Sequence, residues 1–218
     1  LNRKANELGL GGQILNQIYE IDCSRALSQL RKTSFTIACD VNNPFYGEKG
    51  AAYVFARQKG ADDAMVRLLD EGLRNFAEVI KRTGQIEIDD IPGAGAAGGL
   101  GGGFVAFLKA ELKPGIQMVL DALRFDECIR GADLIITEEG KLDKQTCMGK
   151  TPCGVLQAGM RQDIPVIVMG GSVEEVEELN KSGFLAVLPL LPYPVSLEQA
   201  MDKDFTCRNI GRCLLYTS

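Results

Sequence analysis

Several charged residues follow one short apolar run in the second half of the chain, and four of them are of types that suit the handling of an anion and a metal ion. Residues 134–137 are apolar and β-branched, which predicts a buried strand, and Glu138, Glu139, Asp143 and Lys150 come after it. Open α/β sheets build their sites in the loops that follow strands. These four residues are therefore the first candidates for chemistry.

The same loop offers the groups that phosphoryl transfer needs. Glu139 and Asp143 are hard oxygen ligands, and magnesium is usually bound by one or two carboxylates together with substrate phosphate. Lys150 precedes a predicted helix, so its ammonium and the helix amino terminus can face one anion, and Gln145 and Thr146 would add neutral hydrogen bonds. Solvated surface acids and a lysine in water are the alternative interpretation.

A second polar group follows a predicted strand in the first half of the chain. Asp40, Asn42 and Asn43 come directly after residues 34–39, which are rich in Phe, Thr and Ile. They are candidates for binding the hydroxyls and carboxylate of a small polar acid, and Asp40 for accepting the proton of an attacked hydroxyl. The alternative is an Asx turn, in which these side chains bond their own backbone.

Three polar residues further along are candidates for contacting the carboxylate of the same acid. They are Lys49, Gln58 and Lys59. A lysine at such a position supplies positive charge, and its alternative role is ordinary solvation.

Residues 92–103 are dense in glycine and precede an apolar helix predicted for residues 104–112. Gly93, Gly95, Gly98 and Gly99 would let backbone amides approach a phosphate at a helix start. Close helix packing is the alternative. The spacing formally fits a dinucleotide fingerprint, but the preceding strand is poor and no acidic residue ends a strand about 20 residues later. An oxidoreductase is therefore disfavoured.

The remaining pattern predicts an α/β fold with a parallel, doubly wound sheet and helices on both of its faces. Strands are predicted at residues 134–137, 166–169 and 185–188, and helices at 116–125, 152–161 and 174–179. Ser196 to Gln199 forms a capping box. A helix from Asp62 or Asp63 to just before Gly84 is predicted from apolar residues three and four apart: Met65, Leu68, Leu69, Leu73, Phe76 and Ile80.

Composition excludes several classes of protein. The 218 residues carry a net charge of -5 without a basic run, which disfavours nucleic acid and anionic membranes as partners. With no histidine, proton transfer is left to Asp, Glu and Lys. Seven cysteines without a Cys-x-x-Cys pair favour a reducing cytoplasm over a disulfide framework or a zinc site. No signal peptide or apolar run of membrane length is present.

Several blocks of the sequence together resemble the bacterial glycerate kinase family, and their order runs through nearly the whole chain. They are ACDVNNP at 38–44, GAA at 50–52, QKGA at 58–61, the glycine-rich run at 92–103, ADLIITEEGKLDKQTCMGKTPCG at 132–154 and GGSV at 170–173. The resemblance implies an enzyme that uses ATP and Mg²⁺ to phosphorylate a hydroxyl of D-glycerate, in the cytoplasm. Glu138 and Arg57 depart from it, since the family commonly has glycine and proline there.

The resemblance also implies two α/β domains, the second inserted into the first. Residues 1–113 would belong to the inserted domain and residues 114–212 to the carboxyl half of the split, Rossmann- or flavodoxin-like domain. Residues 213–218 are similar to a translated sequencing adapter, and the family's amino-terminal glycine- and aspartate-rich blocks are absent. We therefore expect a truncated, inactive piece of a glycerate kinase. A non-catalytic protein that binds a sugar acid or a nucleotide on the same scaffold is the alternative.

Overall fold

The structure, a computed structural model, describes residues 1–4, 6–84, 86–143, 146–147 and 149–216. It divides into two compact units, Leu1–Pro114 and Gly115–Ser218. Each unit combines parallel strands with helices, so the α/β class predicted from the sequence is confirmed. Within the described ranges, no helix combines the length and apolar character that crossing a bilayer requires.

Five strands and eight α-helices are found in the described part of the chain. The strands are β1 (Thr36–Ala38), β2 (Glu111–Lys113), β3 (Ile135–Leu142), β4 (Val166–Val173) and β5 (Ala186–Pro189). The helices are α1 (Asp63–Gly84), α2 (Ala96–Leu108), α3 (Gly115–Ala122), α4 (Phe125–Cys128), α5 (Thr151–Met160), α6 (Val176–Lys181), α7 (Leu197–Ala200) and α8 (Lys203–Tyr216). Helical turns of other types occupy Gly12–Gln17, Ser28–Lys32, Ala52–Ala56 and Arg57–Lys59.

Helix α1 provides four of the nine buried residues in the core of the first unit. The Asp62 carboxylate accepts a hydrogen bond of 2.8 Å from the Met65 backbone N–H, which caps the amino end of the helix as predicted. Met65 and Leu68, which were assigned to its apolar face, are exposed instead. The buried face contributes residues to a core that comprises Phe45, Ala51, Ala52, Val66, Leu73, Ala77, Ile80, Ile88 and Ala94.

Strands β1 and β2 pair in parallel, with Ile37 opposite Leu112. The helix predicted for residues 104–112 is therefore wrong at its carboxyl end. Helix α2 stops at Leu108 because Lys109 adopts a left-handed conformation with φ of 53° and donates its N–H to carbonyls of the last turn. Glu111 and Leu112, which apolar character alone had assigned to the helix, therefore belong to β2 and pair with β1.

The second unit consists of two β-α-β crossovers. Strands β3, β4 and β5 are parallel and adjacent in chain order, with α5 and α6 as the connecting helices. Right-handed crossovers that proceed in one direction place both connecting helices on the same face of the sheet. The buried core includes Leu120, Ile129, Ile135, Leu142, Val155, Leu156, Ala158, Ile164, Val166, Val168, Leu179, Phe184 and Val187.

Strands β3 and β4 are each twice as long as the predicted four residues. Their ladder continues beyond the apolar runs, with Glu139 opposite Gly170 and Lys141 opposite Ser172. The expectation that Glu138 and Glu139 lie in a loop is therefore wrong, because backbone pairing places both in β3.

Two further helix predictions are modified. The helix predicted for residues 116–125 is split into α3 and α4, because Arg124 takes a left-handed conformation with φ of 52°. The Ser196 hydroxyl accepts a hydrogen bond of 3.2 Å from the Gln199 backbone N–H, as the capping box predicts, although the helix it opens is only four residues long.

Candidate active site

The carboxyl end of β3 carries the residues that the sequence predicted for the site in the second unit. Glu139 and Lys141 lie in the second half of the strand, and Asp143 follows directly after the last strand residue. Glu138 lies on the opposite face of the strand from Glu139 and is exposed. The extra carboxylate that distinguishes this chain is therefore directed away from Glu139.

Lys150 lies between the two predicted metal-binding carboxylates. Its Nζ is 3.7 Å from Oε1 of Glu139 and 3.6 Å from Oδ1 of Asp143. The three side chains are only partly exposed, at 34% for Lys150, 27% for Glu139 and 19% for Asp143. These distances are longer than those of hydrogen bonds, so the contacts are electrostatic attractions that another ligand can replace.

A second lysine, which sequence reasoning missed, joins the same cluster. The Nζ of Lys141 is 3.1 Å from Oε1 of Glu174 and 3.9 Å from Oδ2 of Asp143. The hydrogen bond to Glu174, with the negative charge of that residue, raises the pKa of the Lys141 ammonium. No local signal pointed to Lys141, because it joins the cluster only through the extension of β3 to Leu142.

The turn after β3 is closed by Asp143 and Thr146. The Asp143 backbone N–H donates to the Thr146 hydroxyl at 3.0 Å, and the Thr146 N–H donates to the Asp143 carbonyl at 2.9 Å. Thr146 is completely buried, which places its hydroxyl in the turn. Gln145, the other predicted hydrogen-bond donor, lies outside the described residues.

Lys150 is also the N-cap residue of helix α5. The helix begins with Thr151 and the buried Pro152, and its first turn presents backbone N–H groups and the positive end of the helix dipole. Burial, helped by the neighbouring Cys147, raises the pKa of the Cys153 thiol to about 11. That thiol is therefore a neutral packing group in the first turn, and the ammonium of Lys150 is the charged group at the helix start.

The chemistry of this cluster fits a magnesium ion that completes its shell with phosphate. The Oε2 atom of Glu139 is buried and has no hydrogen-bond partner among the described residues, so one carboxylate oxygen is available to a cation. The described part of the chain contains no group of three acidic, cysteine or histidine side chains arranged for a metal. Two carboxylates with substrate phosphate are the usual arrangement for Mg²⁺ in phosphoryl-transfer sites.

In the first unit, the predicted acceptor residues lie on the segment after β1. Asp40 and Asn42 are exposed. Asn43 is half-buried, and its side-chain amide donates a hydrogen bond of 2.8 Å to the Lys49 carbonyl. This contact is not an Asx turn, because the side-chain nitrogen donates to a carbonyl six residues further along the chain. The side chain of Lys49 is exposed beside this closure.

Gln58 and Lys59 lie on the helical turn Arg57–Lys59 and are exposed. Lys59 borders an apolar cavity of about 250 Å³ that Gly98 also lines. Arg57, the departure from the family pattern, forms an ion pair of 3.0 Å with Asp63 at the start of α1. Lys59 thus borders the same cavity as Gly98 of the glycine-rich run.

The glycines of residues 93–99 do not share one environment. A side chain at Gly93 would lie 2.7 Å from Sγ of Cys39, and one at Gly95 would lie 2.3 Å from the Pro44 carbonyl. Gly99 faces the Phe45 ring. Only at Gly98, among these four, would an added Cβ meet no described atom within 4 Å. Close packing is thus sufficient to explain three of them, and Gly98 faces open space.

With this geometry established, comparison with known proteins identifies the family. The sequence model of the glycerate kinase family matches residues 1–210. The chain belongs to the glycerate kinase family. The glycerate kinase of Halalkalibacterium halodurans is 44% identical over 204 residues, which are 93% of this chain and 54% of that protein. The glycerate 2-kinase of Escherichia coli is 42% identical over 206 residues, again 93% of this chain and 54% of that protein.

A solved structure supports the same relationship. The crystal structure of a Salmonella typhimurium LT2 protein assigned as glycerate kinase 2 matches with a TM-score of 0.75 and 36% identity, over 98% of this chain and 57% of that protein. The chain therefore spans a little more than half the length of the glycerate kinases that it matches.

Proposed function

We propose that this chain contributes to an ATP-dependent glycerate kinase, which transfers the γ-phosphoryl group of ATP to a hydroxyl of D-glycerate with the help of Mg²⁺. The observation that carries the proposal is the position of Lys150, which lies between Glu139 and Asp143 at the first turn of helix α5. Two carboxylates for a metal ion and a cation for phosphate are the parts that phosphoryl transfer requires.

The finer architecture of the family is part of this proposal. Residues 1–113 would form part of an inserted α/β domain, and residues 114–212 would form the carboxyl half of a split, doubly wound domain. The division of the chain into units at residues 114 and 115 supports the domain boundary, and the parallel β3-β4-β5 sheet supports a Rossmann-like second unit. Its two crossovers proceed in one direction and cover one face of the sheet, so the doubly wound arrangement requires helices from elsewhere in the domain on the other face. The seven free cysteines support a reducing, cytoplasmic location.

In the second unit, the residues would act by exchanging electrostatic partners. ATP supplies the phosphoryl group, and Mg²⁺ held by Glu139 and Asp143 would reduce the negative charge of its phosphates. Because Lys150 is within 3.7 Å of both carboxylates without being hydrogen-bonded to either, its ammonium can turn towards phosphate when a cation takes its place. The amides of the first turn of α5 would bind the same anion.

In the first unit, the residues would bind the acceptor. Asp40 is exposed after β1, where its carboxylate can orient the attacked hydroxyl and accept its proton. Asn42 and Lys49 are exposed on the same segment and can bind the hydroxyls and carboxylate of D-glycerate. We assign Lys59 and Gln58 to the same substrate, and the glycine-rich run with Gly98 to phosphate.

The proposal can be tested in a chimaera in which residues 1–210 replace the matching part of the Bacillus cereus glycerate kinase, which is 44% identical over 217 residues. ADP release that depends on D-glycerate would be measured for the parent chimaera and for Asp143→Asn, Lys150→Met and Asp40→Asn. Each substitution should lower kcat at least about 100-fold, as removal of a preorganised charge typically does.

Glu177→Gln, an exposed acid on α6, is the matched control and should leave turnover within twofold of the parent. Parental turnover in both Asp143→Asn and Asp40→Asn would show that these residues are wrongly assigned. A chimaera that binds ATP or D-glycerate but releases no ADP would instead support the non-catalytic binding protein.

A further inference from the structure

Asp70 is a buried acid that the proposed chemistry does not use. It lies on helix α1 with 6% of its surface exposed. Its Oδ1 accepts a hydrogen bond of 2.7 Å from the Gly47 backbone N–H, and its Oδ2 is 3.7 Å from Nη2 of Arg74. Burying a carboxylate is unfavourable unless it is paired, and an apolar residue would fill this position on the helix without that cost. The hydrogen bond from the Gly47 N–H is therefore the interaction that an acid provides at this position and an apolar residue would not.

Gly47 is the turning point of the loop from Asn43 to Gly50. It has a φ of 92°, and its carbonyl accepts a hydrogen bond of 2.7 Å from the Gly50 N–H. The Asn43 amide closes the loop through its hydrogen bond to the Lys49 carbonyl. The Asp70 carboxylate thus holds the middle of a loop whose two ends are already joined.

The same helix secures the loop through a second contact. The Arg74 guanidinium lies 4.3 Å from the centre of the Tyr46 ring. The Tyr46 hydroxyl donates a hydrogen bond of 2.9 Å to Oδ2 of Asp89, and the Phe45 N–H donates to the Asp89 carbonyl at 3.1 Å. Burial, and then the hydrogen bond to Asp89, raise the pKa of Tyr46. One turn of α1 therefore fixes two successive residues of the loop.

We propose that Asp70 is a positioning residue for substrate binding, which holds the loop of residues 43–50 in the conformation that presents Lys49 and Asn43 to the carboxylate of D-glycerate. This inference rests on the proposed function. It concerns the binding of the acceptor and leaves the phosphoryl-transfer step to other residues. The loop and the kinetics can be tested separately.

The loop is tested in the 218-residue chain by the hydrogen exchange of the Gly47 amide. Asp70→Leu, which keeps the position filled, and Asp70→Ala should each speed this exchange at least tenfold. Asp70→Asn keeps an oxygen acceptor and should change it less than threefold, and Glu71→Ala, the exposed neighbour, should leave it unchanged. Exchange of the Ala77 amide in α1 reports whether the helix itself is intact. An unchanged Gly47 exchange rate in Asp70→Leu would overturn the inference.

Substrate binding is tested by steady-state kinetics in the chimaera. Asp70→Leu should raise the KM for D-glycerate about tenfold, leave the KM for ATP unchanged and keep kcat within twofold, and Asp70→Asn should restore most of the affinity. A KM for D-glycerate that does not change, or a fall in kcat alone, would overturn the positioning role. A parent chimaera without glycerate kinase activity would instead overturn the proposed function, and with it the substrate assigned to the loop.

Discussion

Three glycines at the amino end and in the middle of helix α2 should respond to alanine in three different ways. Gly95 has an ordinary φ of -75°, but an added Cβ would lie 2.3 Å from the Pro44 carbonyl oxygen and 3.1 Å from that of Asn43. Since both obstacles are backbone atoms, the segment itself must move. Overpacking of this kind costs about 3 kcal/mol at the upper end of its usual range.

The other two positions isolate the effect of backbone conformation. At Gly98 the added Cβ would have no described neighbour within 4 Å, but its φ of 75° is left-handed, so alanine should cost about 1 kcal/mol. At Gly103 the space is also open and the φ is not left-handed, so alanine should stabilise the helix by about 0.5 to 1 kcal/mol. The predicted order of stability is thus Gly103→Ala, parent, Gly98→Ala, Gly95→Ala.

Urea unfolding of the 218-residue chain, followed by circular dichroism and by the amide signals of α1, measures this order in the first unit. Thermal unfolding should show the same order. At about 4 °C per kcal/mol, the expected shifts of Tm are about -12 °C for Gly95→Ala and about -4 °C for Gly98→Ala. Unfolding of Gly95→Ala at the parental urea concentration would refute the packing argument. If Gly103→Ala destabilised the first unit as much as Gly98→Ala, the argument from backbone conformation would be refuted.

Two predictions concern the second unit. Burial raises the pKa of the Cys153 thiol from 9.0 to about 11, so at pH 8 this thiol should react with iodoacetamide far more slowly than the exposed Cys23. Between pH 9 and 11 the thiol is deprotonated in the unfolded chain but still protonated in the folded chain, so its contribution to the free energy of unfolding should be lost as the pH rises through this range. Equal labelling rates in Cys153→Ser and Cys23→Ser would contradict this prediction. Leu142→Ala removes a completely buried side chain and should lower the free energy of unfolding by about 2 to 5 kcal/mol. The control Leu185→Ala changes a side chain that is 63% exposed and should lower the free energy of unfolding by less than about 1 kcal/mol. Urea titration of both variants measures the difference.

The sequence was sufficient where local chemistry and periodicity agree. The apolar runs that begin β3, β4 and β5 and the cap at Asp62 were predicted correctly because each depends on neighbouring residues. The candidate residues Glu139, Asp143 and Lys150 were also named from the sequence, and the structure brings all three within ion-pair distance.

What the sequence did not predict depends on partners distant in the chain. The extension of β3 through Leu142 and β4 through Val173 comes from the register between the two strands, in which polar and glycine residues pair as well as apolar ones. Leu112 was placed in a helix because its pairing with Ile37, 75 positions earlier, leaves no local signal. Lys141 was missed for the same reason, since its direction depends on the continued strand.

The contact between Gly95 and the segment before it has a consequence for motion within the first unit. The Gly95 N–H donates to the Asn43 carbonyl at 3.0 Å, and no side chain separates the two backbones. A flexible side chain between them would absorb small displacements, whereas direct backbone contact transmits them. We therefore expect a shift of the loop of residues 43–50 on ligand binding to displace the amino end of α2 as well. The loop and the glycine-rich run should thus move together when an acceptor binds.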